Sequence, residues 1–144
     1  MIRRATIDDV NVLAEFAVKI YTGAEFAELV GEFSESMRNE NSAFFIKFEG
    51  DKPVGFAEAG LRFDYVEGTD SSPVGYLEGI YVLPEYRRRG FARALVDECE
   101  KWAKSKNCTE FGSDCELSNV ESFNFHKVIG FLEANRIICF VKEL

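Results

Sequence analysis

Apolar residues recur at helical spacing over Val10, Leu13, Ala14, Ala17 and Tyr21, and again over Phe26, Leu29, Val30, Phe33 and Met37. Each set forms one apolar stripe on a helix with a 3.6-residue period. The first helix follows a short extended start at Ile2 to Ala5 and opens where Thr6 and Asp9 stand at capping-box spacing. It is predicted to end near Thr22 and Gly23. The polar run "RNENS" closes the second helix, and the period then changes.

"AFFIKF", the turn "EGDKP" and "VGFAEAGLRFDYV" read as a hairpin, with aromatic and β-branched residues in its strands and Gly50 and Pro53 in its turn. The loop "EGTDSSP" leads to a further strand, "VGYLEGIYVL". From Gly90 the positions Phe91, Leu95, Cys99 and Trp102 give one face of a long helix reaching about Ser105. "CTEFGSD" is a short strand, a helix follows from Asn119 to Val128, and a final strand pair is expected within "FLEANRIICFVKE". The order of elements predicts a mixed α/β (α+β) architecture. With 144 residues and no repeat or long linker, residues 1–144 are expected to form one domain.

Charge narrows the partners. The formal net charge is -8 and the pI about 4.8, which argues against broad duplex nucleic-acid binding and suits a cationic partner. Cys99, Cys108, Cys115 and Cys139 match no metal-ligand spacing and read as buried thiols in a reducing compartment. The N-terminus "MIRRATIDDV" is too polar for a secretory signal, and no apolar run has the length of a membrane span. A cytoplasmic protein without membrane association is the expectation.

Against this acidic background, Arg87, Arg88 and Arg89 are concentrated at a strand-to-helix junction. Backbone N–H groups at a helix N-terminus lack intrahelical acceptors, and Gly90 removes a Cβ from the approach, so the turn can cradle phosphate. Arginines there oppose the helix dipole unless an anion arrives. Neither the Walker pattern nor G-x-G-x-x-G is present, so the residues themselves point to phosphate or another polyanion.

Arg87-x-x-Gly90-x-Ala92, after the strand "LEGIYV" and opening a helix, resembles the coenzyme A pyrophosphate loop of the GCN5-related N-acetyltransferases (GNAT). "NVESFNFHKVIGF", from Asn119 to Phe131, resembles that family's later segment, in which an asparagine opens a helix ending in Gly-Phe. "RFDYVEG", "SPVGYLEGIYVLPEYRRRGFA" and "WAKSKNCTEFGSD" further resemble the dimeric aminoglycoside 6'-N-acetyltransferases. The likeness runs from about Glu58 to Lys142 and is weak before that. It implies a GNAT fold, a mixed central sheet with splayed central strands flanked by helices, and a homodimer.

The resemblance also implies that acetyl-CoA lies along Ile80, Tyr81 and Val82 with its pyrophosphate over Arg87, Arg88, Arg89, Gly90, Phe91 and Ala92, and that Asn119 helps position its arm. Acetyl transfer needs a neutral amine and a proton for the departing thiolate. Glu78 faces the acceptor in this comparison and draws the amine's proton, while His126 donates to the CoA sulfur. Asp114, Tyr65 and Tyr21 line the acceptor site, with Glu58, Asp64, Glu67 and Asp70 adding negative charge against only Arg62. No histidine pair or basic cluster activates Cys108 or Cys115, so direct attack on the thioester is expected rather than transfer through cysteine.

Two places depart from the resembled group. A Trp-Pro pair and a nearby histidine are common there near the end of the first helix, where this chain has Tyr21, Thr22, Gly23 and Ala24. Asn135 occupies a place for an acidic contact. An N-acetyltransferase for another amine (a polyamine, a small metabolite or a protein amine) therefore stays open, as does a CoA-binding module without turnover.

Overall fold

The computed structural model describes residues 1–144. The chain runs β1 (Ile2–Arg4), a 3-10 turn (Ile7–Asp9), α1 (Val10–Ala17), α2 (Phe26–Met37), β2 (Ser42–Glu49), β3 (Lys52–Arg62) and β4 (Val74–Val82). A second 3-10 turn (Pro84–Tyr86), α3 (Phe91–Ser105), β5 (Phe111–Gly112) and α4 (Val120–Val128) complete it. The five strands lie in one sheet in sequence order, antiparallel from β1 to β4 and parallel between β4 and β5.

Both faces of the sheet are covered, because β2 and β3 carry near-continuous apolar runs rather than a strict alternation. On one face α1 and α2 lay Leu13, Phe16, Leu29 and Phe33 against Phe44, Ile46 and Phe56. On the other, α3 lays Leu95, Val96, Cys99 and Trp102 against Phe45, Ala57, Leu77 and Val82. Phe44 and Phe56 are almost wholly excluded from solvent, and each such ring contributes roughly 1.5–3 kcal/mol by its burial.

Two strand irregularities open the middle of the sheet. Glu58 pairs with Gly79 and Ala59 with Leu77, so Glu78 is an extra residue that bulges from β4. Next to it, β4 and β5 pair only through Gly75 with Phe111 and Tyr76 with Gly112. Beyond Tyr76, β4 and the edge strand β5 part, and the β5-facing edge of β4 has no strand partner. The resemblance implies a splay between central strands; here the strands that part are β4 and the edge strand β5.

The structure corrects the sequence reading in four places. Helix α1 stops at Ala17, and residues 18–24 continue as turns in which Val18, Lys19, Ile20 and Tyr21 still donate to carbonyls of the last helical turn. Strand β3 stops at Arg62, leaving Phe63 to Val66 in a loop. Cys99 and Cys108 are buried, but Cys115 and Cys139 are exposed because they lie in a loop and in the C-terminal segment; all four are free thiols.

The fourth correction is the largest. Residues 131–144 form no strand, and Leu132, Ile138, Phe140 and Val141 are 80–97% exposed. The apolar pattern is there, but the strand that ends the sheet, β5, has only two residues and offers almost no ladder to extend. The segment is held at its start, where Asn135 Nδ2 donates to Glu67 Oε1 at 2.7 Å.

Candidate active site

The turn that opens α3 is built as the sequence suggested. Arg88 and Gly90 both take left-handed backbone angles, φ 60° and 80°, and Gly90 is the N-cap of α3. A side chain at Gly90 would meet no atom within 4 Å, so glycine serves the backbone angle and leaves open space over the helix terminus. The backbone N–H groups of residues 88 to 93 donate to no group within the chain. They form a ready anion cradle.

The arginines divide their work. Arg87 folds back, donating from Nε to the Val82 carbonyl at 2.8 Å, with Nη1 3.9 Å from Glu121. Arg89 pairs with Glu49 at 2.9 Å. Arg88 pairs with no carboxylate and leaves its charge beside the cradle. Ile80, Tyr81 and Val82 lie on β4 where its second edge has no strand partner, and apart from the Val82 carbonyl, which Arg87 occupies, that edge is open to an extended ligand arm.

Glu78 is the centre of the second half. Its carboxylate accepts from Arg62 Nε at 3.0 Å and Nη2 at 2.9 Å, a bidentate pair that holds Arg62 above its ordinary pKa. The Arg62 guanidinium also lies 3.4 Å from the centre of the Tyr76 ring. The Tyr76 hydroxyl donates to Asp114 Oδ2, and burial and this bond push the phenol up. A relay of Glu78, Arg62, Tyr76 and Asp114 therefore bridges β3, β4 and the loop after β5.

Tyr21, from the turns after α1, donates to the Glu78 carbonyl at 3.0 Å. Gly79 makes that approach possible, since a Cβ there would stand 2.6 Å from the Tyr21 hydroxyl oxygen. Burial first, then the charges of Glu58, Glu78, Asp114 and Glu32, push the phenol up to about 12. Tyr21, Glu28, Glu32, Glu58 and Glu78 line one hollow of about 250 Å3 between α2 and the sheet. Another hollow of about 290 Å3, lined by Arg4, Arg38 and neighbours, draws nothing from β4 or α3 and contains no carboxylate.

The remaining residues divide. Asn119 is the N-cap of α4, its Oδ1 accepting from Ser122 N at 3.1 Å. His126 Nδ1 lies 2.6 Å from the Ser122 carbonyl oxygen and must carry the hydrogen, while Nε2 lies 2.7 Å from Ser113 Oγ. Both ring nitrogens are thus engaged. Tyr65 lies in the loop after β3, 75% exposed, outside the acidic hollow. Asp114 is exposed two residues beyond β5. The buried thiols of Cys99 and Cys108 are pushed up by desolvation, the reverse of what a nucleophile needs.

Sequence reasoning did not single out Arg62 or Tyr76 as site residues, nor Glu28 and Glu32. The signals were available: Glu58, Gly60 and Arg62 alternate on one face of β3, and Glu28 and Glu32 are one turn apart on α2.

The family model for the acetyltransferase (GNAT) family matches residues 10–131. The chain belongs to the GNAT family. Among curated relatives, this GNAT chain is 38% identical over 130 residues to an aminoglycoside N(6')-acetyltransferase type 1 of Acinetobacter haemolyticus, covering 90% of this chain and 89% of that one. A Stenotrophomonas maltophilia enzyme of the same name is 36% identical over 140 residues, covering 96% and 90%. Among solved structures, AAC(6')-Iy in complex with a bisubstrate analog, CoA-S-monomethyl-acetylneamine, superposes with a TM-score of 0.95 at 33% identity, covering 100% of this chain and 98% of that one. The apo aminoglycoside 6'-N-acetyltransferase AAC(6')-IG from Acinetobacter haemolyticus does so with 0.95 at 35% identity, covering 100% and 99%.

Proposed function

We propose that this GNAT enzyme transfers the acetyl group of acetyl-CoA to the 6'-amino group of aminoglycosides. The observation that carries the reading is the meeting of two opposite surfaces on one strand. Glu78, at the middle of β4, closes an acidic hollow with Tyr21, and the Val82 end of the strand leads into the N–H cradle of α3. A polycationic amine suits the first surface and a pyrophosphate the second.

The residues present fit acetyl-CoA. The N–H groups of residues 88 to 93 and Arg88 suit its phosphates, and the free β4 edge at Ile80, Tyr81 and Val82 suits its arm. Bound there, it supplies the thioester that the amine attacks. On the acceptor side, Glu78 and Asp114 attract ammonium groups, and Tyr21 and Tyr65 flank their approach. A hollow of about 250 Å3 is smaller than the usual ligand pocket of about 300–1,000 Å3, so it takes the reacting end and leaves the remaining rings outside. The Ser113 hydroxyl donates to Nε2 of the neutral His126 ring, and the pair delivers a proton to the thiolate once that ring has been protonated; Asn119 holds the start of the helix that carries His126.

Acetylation turns a cationic amine into a neutral amide, and an antibiotic that binds an anionic target through its charges is weakened by that loss; resistance is the consequence. The free thiols and the need for acetyl-CoA suit the cytoplasm. No helix is long and apolar enough to cross a membrane. The exposed apolar segment 132–144 supports a homodimer, in which a second copy covers it. Light scattering then reads twice 16.3 kDa, and a chain ending at residue 131 reads the monomer mass.

Thiol release from acetyl-CoA over a panel of aminoglycosides tests the reaction. Turnover confined to compounds with a free 6'-amine is expected. Equal turnover of 6'-hydroxy compounds would sink the 6' assignment, and turnover of spermidine or a lysine peptide alone would transfer the activity to another amine.

A further inference from the structure

Two glutamates face the acidic hollow from the central strands, and they are not equivalent. Glu78 is held by both nitrogens of one Arg62 edge, at 2.9 and 3.0 Å. A carboxylate in such a pair is committed to its cation and is a poor proton acceptor. Glu58, on the adjoining strand opposite Gly79, has no arginine, lysine or hydrogen-bond partner. It lines the same hollow as Tyr21 and Glu78.

We infer that Glu58 is the residue that removes the proton from the acceptor's ammonium group, while Glu78, fixed by Arg62, anchors and orients that group. This assignment rests on the acetyltransferase function proposed for the site and revises the division of labour within it. In the step, an N–H bond of R–NH3+ breaks and an O–H bond forms on the Glu58 carboxylate, giving R–NH2 and a neutral Glu58. The nitrogen lone pair then forms the C–N bond to the acetyl carbon as the C–S bond breaks. The amine's second proton ends on the departing thiolate, giving CoA–SH, and Glu58 returns its proton to solvent. No oxidant or reductant is involved.

The surroundings of Glu58 suit the task. Tyr21 faces it from the turns after α1, Glu28 and Glu32 from α2, and Glu78 from β4. Nothing cationic faces Glu58 directly, since Arg62 is turned to Glu78 and Tyr76. Burial, then the charges of Glu78 and Glu32, raise its carboxyl from 4.5 to about 7. A carboxylate raised toward neutrality accepts a proton more readily than an ordinary one. An entering ammonium supplies the missing positive charge and favours the ionised form before transfer.

The test compares wild type, Glu58→Gln and Glu78→Gln in thiol release from acetyl-CoA with a 6'-amino aminoglycoside, across pH 5.5 to 9.5. In wild type, kcat/KM is expected to rise through a group near 7. Glu58→Gln is expected to lose about 100-fold or more at pH 7, and to recover about tenfold per pH unit as the substrate amine deprotonates by itself. Glu78→Gln is expected to raise the acceptor KM and keep the limb near 7. A Glu58→Gln enzyme with wild-type rate and profile overturns the assignment, as does loss of the limb in Glu78→Gln alone. Should Glu58→Gln lose its melting transition, wild type decides: a limb only at the acceptor's own amine pKa overturns it. Failure of wild type to turn over any 6'-amino compound strikes the acetyltransfer reading instead, so the two failures are separate.

Discussion

At the turn before α3 the chain offers backbone N–H groups over open space; at the hollow beneath α2 it offers four carboxylates and a phenol. The first is made by one contiguous stretch whose conformation is set by Gly90 and the start of a helix. The second is assembled from Tyr21, α2, β3 and β4, and depends on a one-residue bulge at Glu78. Backbone sites of the first kind accept any chain that takes the same turn. Side-chain sites of the second kind change partner with each substitution, so under the proposed function acceptor selectivity belongs there.

The largest expected effect is on stability against pH, through Glu58. Folded, Glu58 keeps its proton to about pH 7, whereas its ordinary value is 4.5. Folding therefore takes up a proton between these values. Stability from this group is complete below pH 4.5 and is lost as pH rises through 7, by on the order of 3 kcal/mol. Urea melts between pH 5 and 8 are expected to show this fall in wild type and a flatter curve in Glu58→Gln. The acidic hollow should show it and the cradle should not.

Glu78→Gln comes next. It removes the charge-assisted bonds to Arg62, each worth about 1.5–3 kcal/mol, and is expected to lower acceptor kcat/KM by roughly 10–100-fold while calorimetry finds acetyl-CoA affinity unchanged. Gly90→Val reverses the pattern. Forcing a β-branched residue to φ 80° costs about 1–2 kcal/mol, and acetyl-CoA affinity is expected to fall roughly tenfold with the acceptor KM unmoved. Tyr21→Phe is the smallest change. It removes one hydrogen bond to the Glu78 carbonyl, about 1 kcal/mol, and is expected to lower acceptor kcat/KM by several-fold. If Glu78→Gln and Gly90→Val each weakened both ligands alike, the separation of the two regions would be lost.

The same contrast decides what was legible in the sequence. Strand β4, the arginine turn and α3 could be read because pattern, glycine and helix start are adjacent in the chain. Glu78 was legible as a candidate through the family resemblance, but its pairing with Arg62 depends on strand register, which the chain order does not state. Glu58 read only as one negative charge among several, because its burial and its lack of a cation are properties of the packed sheet. The apolar residues within 131–143 predict a strand pair. Such a pattern reports the need for a partner and does not say whether that partner is the chain's own sheet or another molecule.

The most direct measurement is the position of the acetyl group in the product, by NMR of kanamycin after reaction with acetyl-CoA. An amide at the 6' nitrogen and at no other amine is the expected result. Acetylation at another amine of the antibiotic, or no product under conditions where spermidine is acetylated, would contradict it.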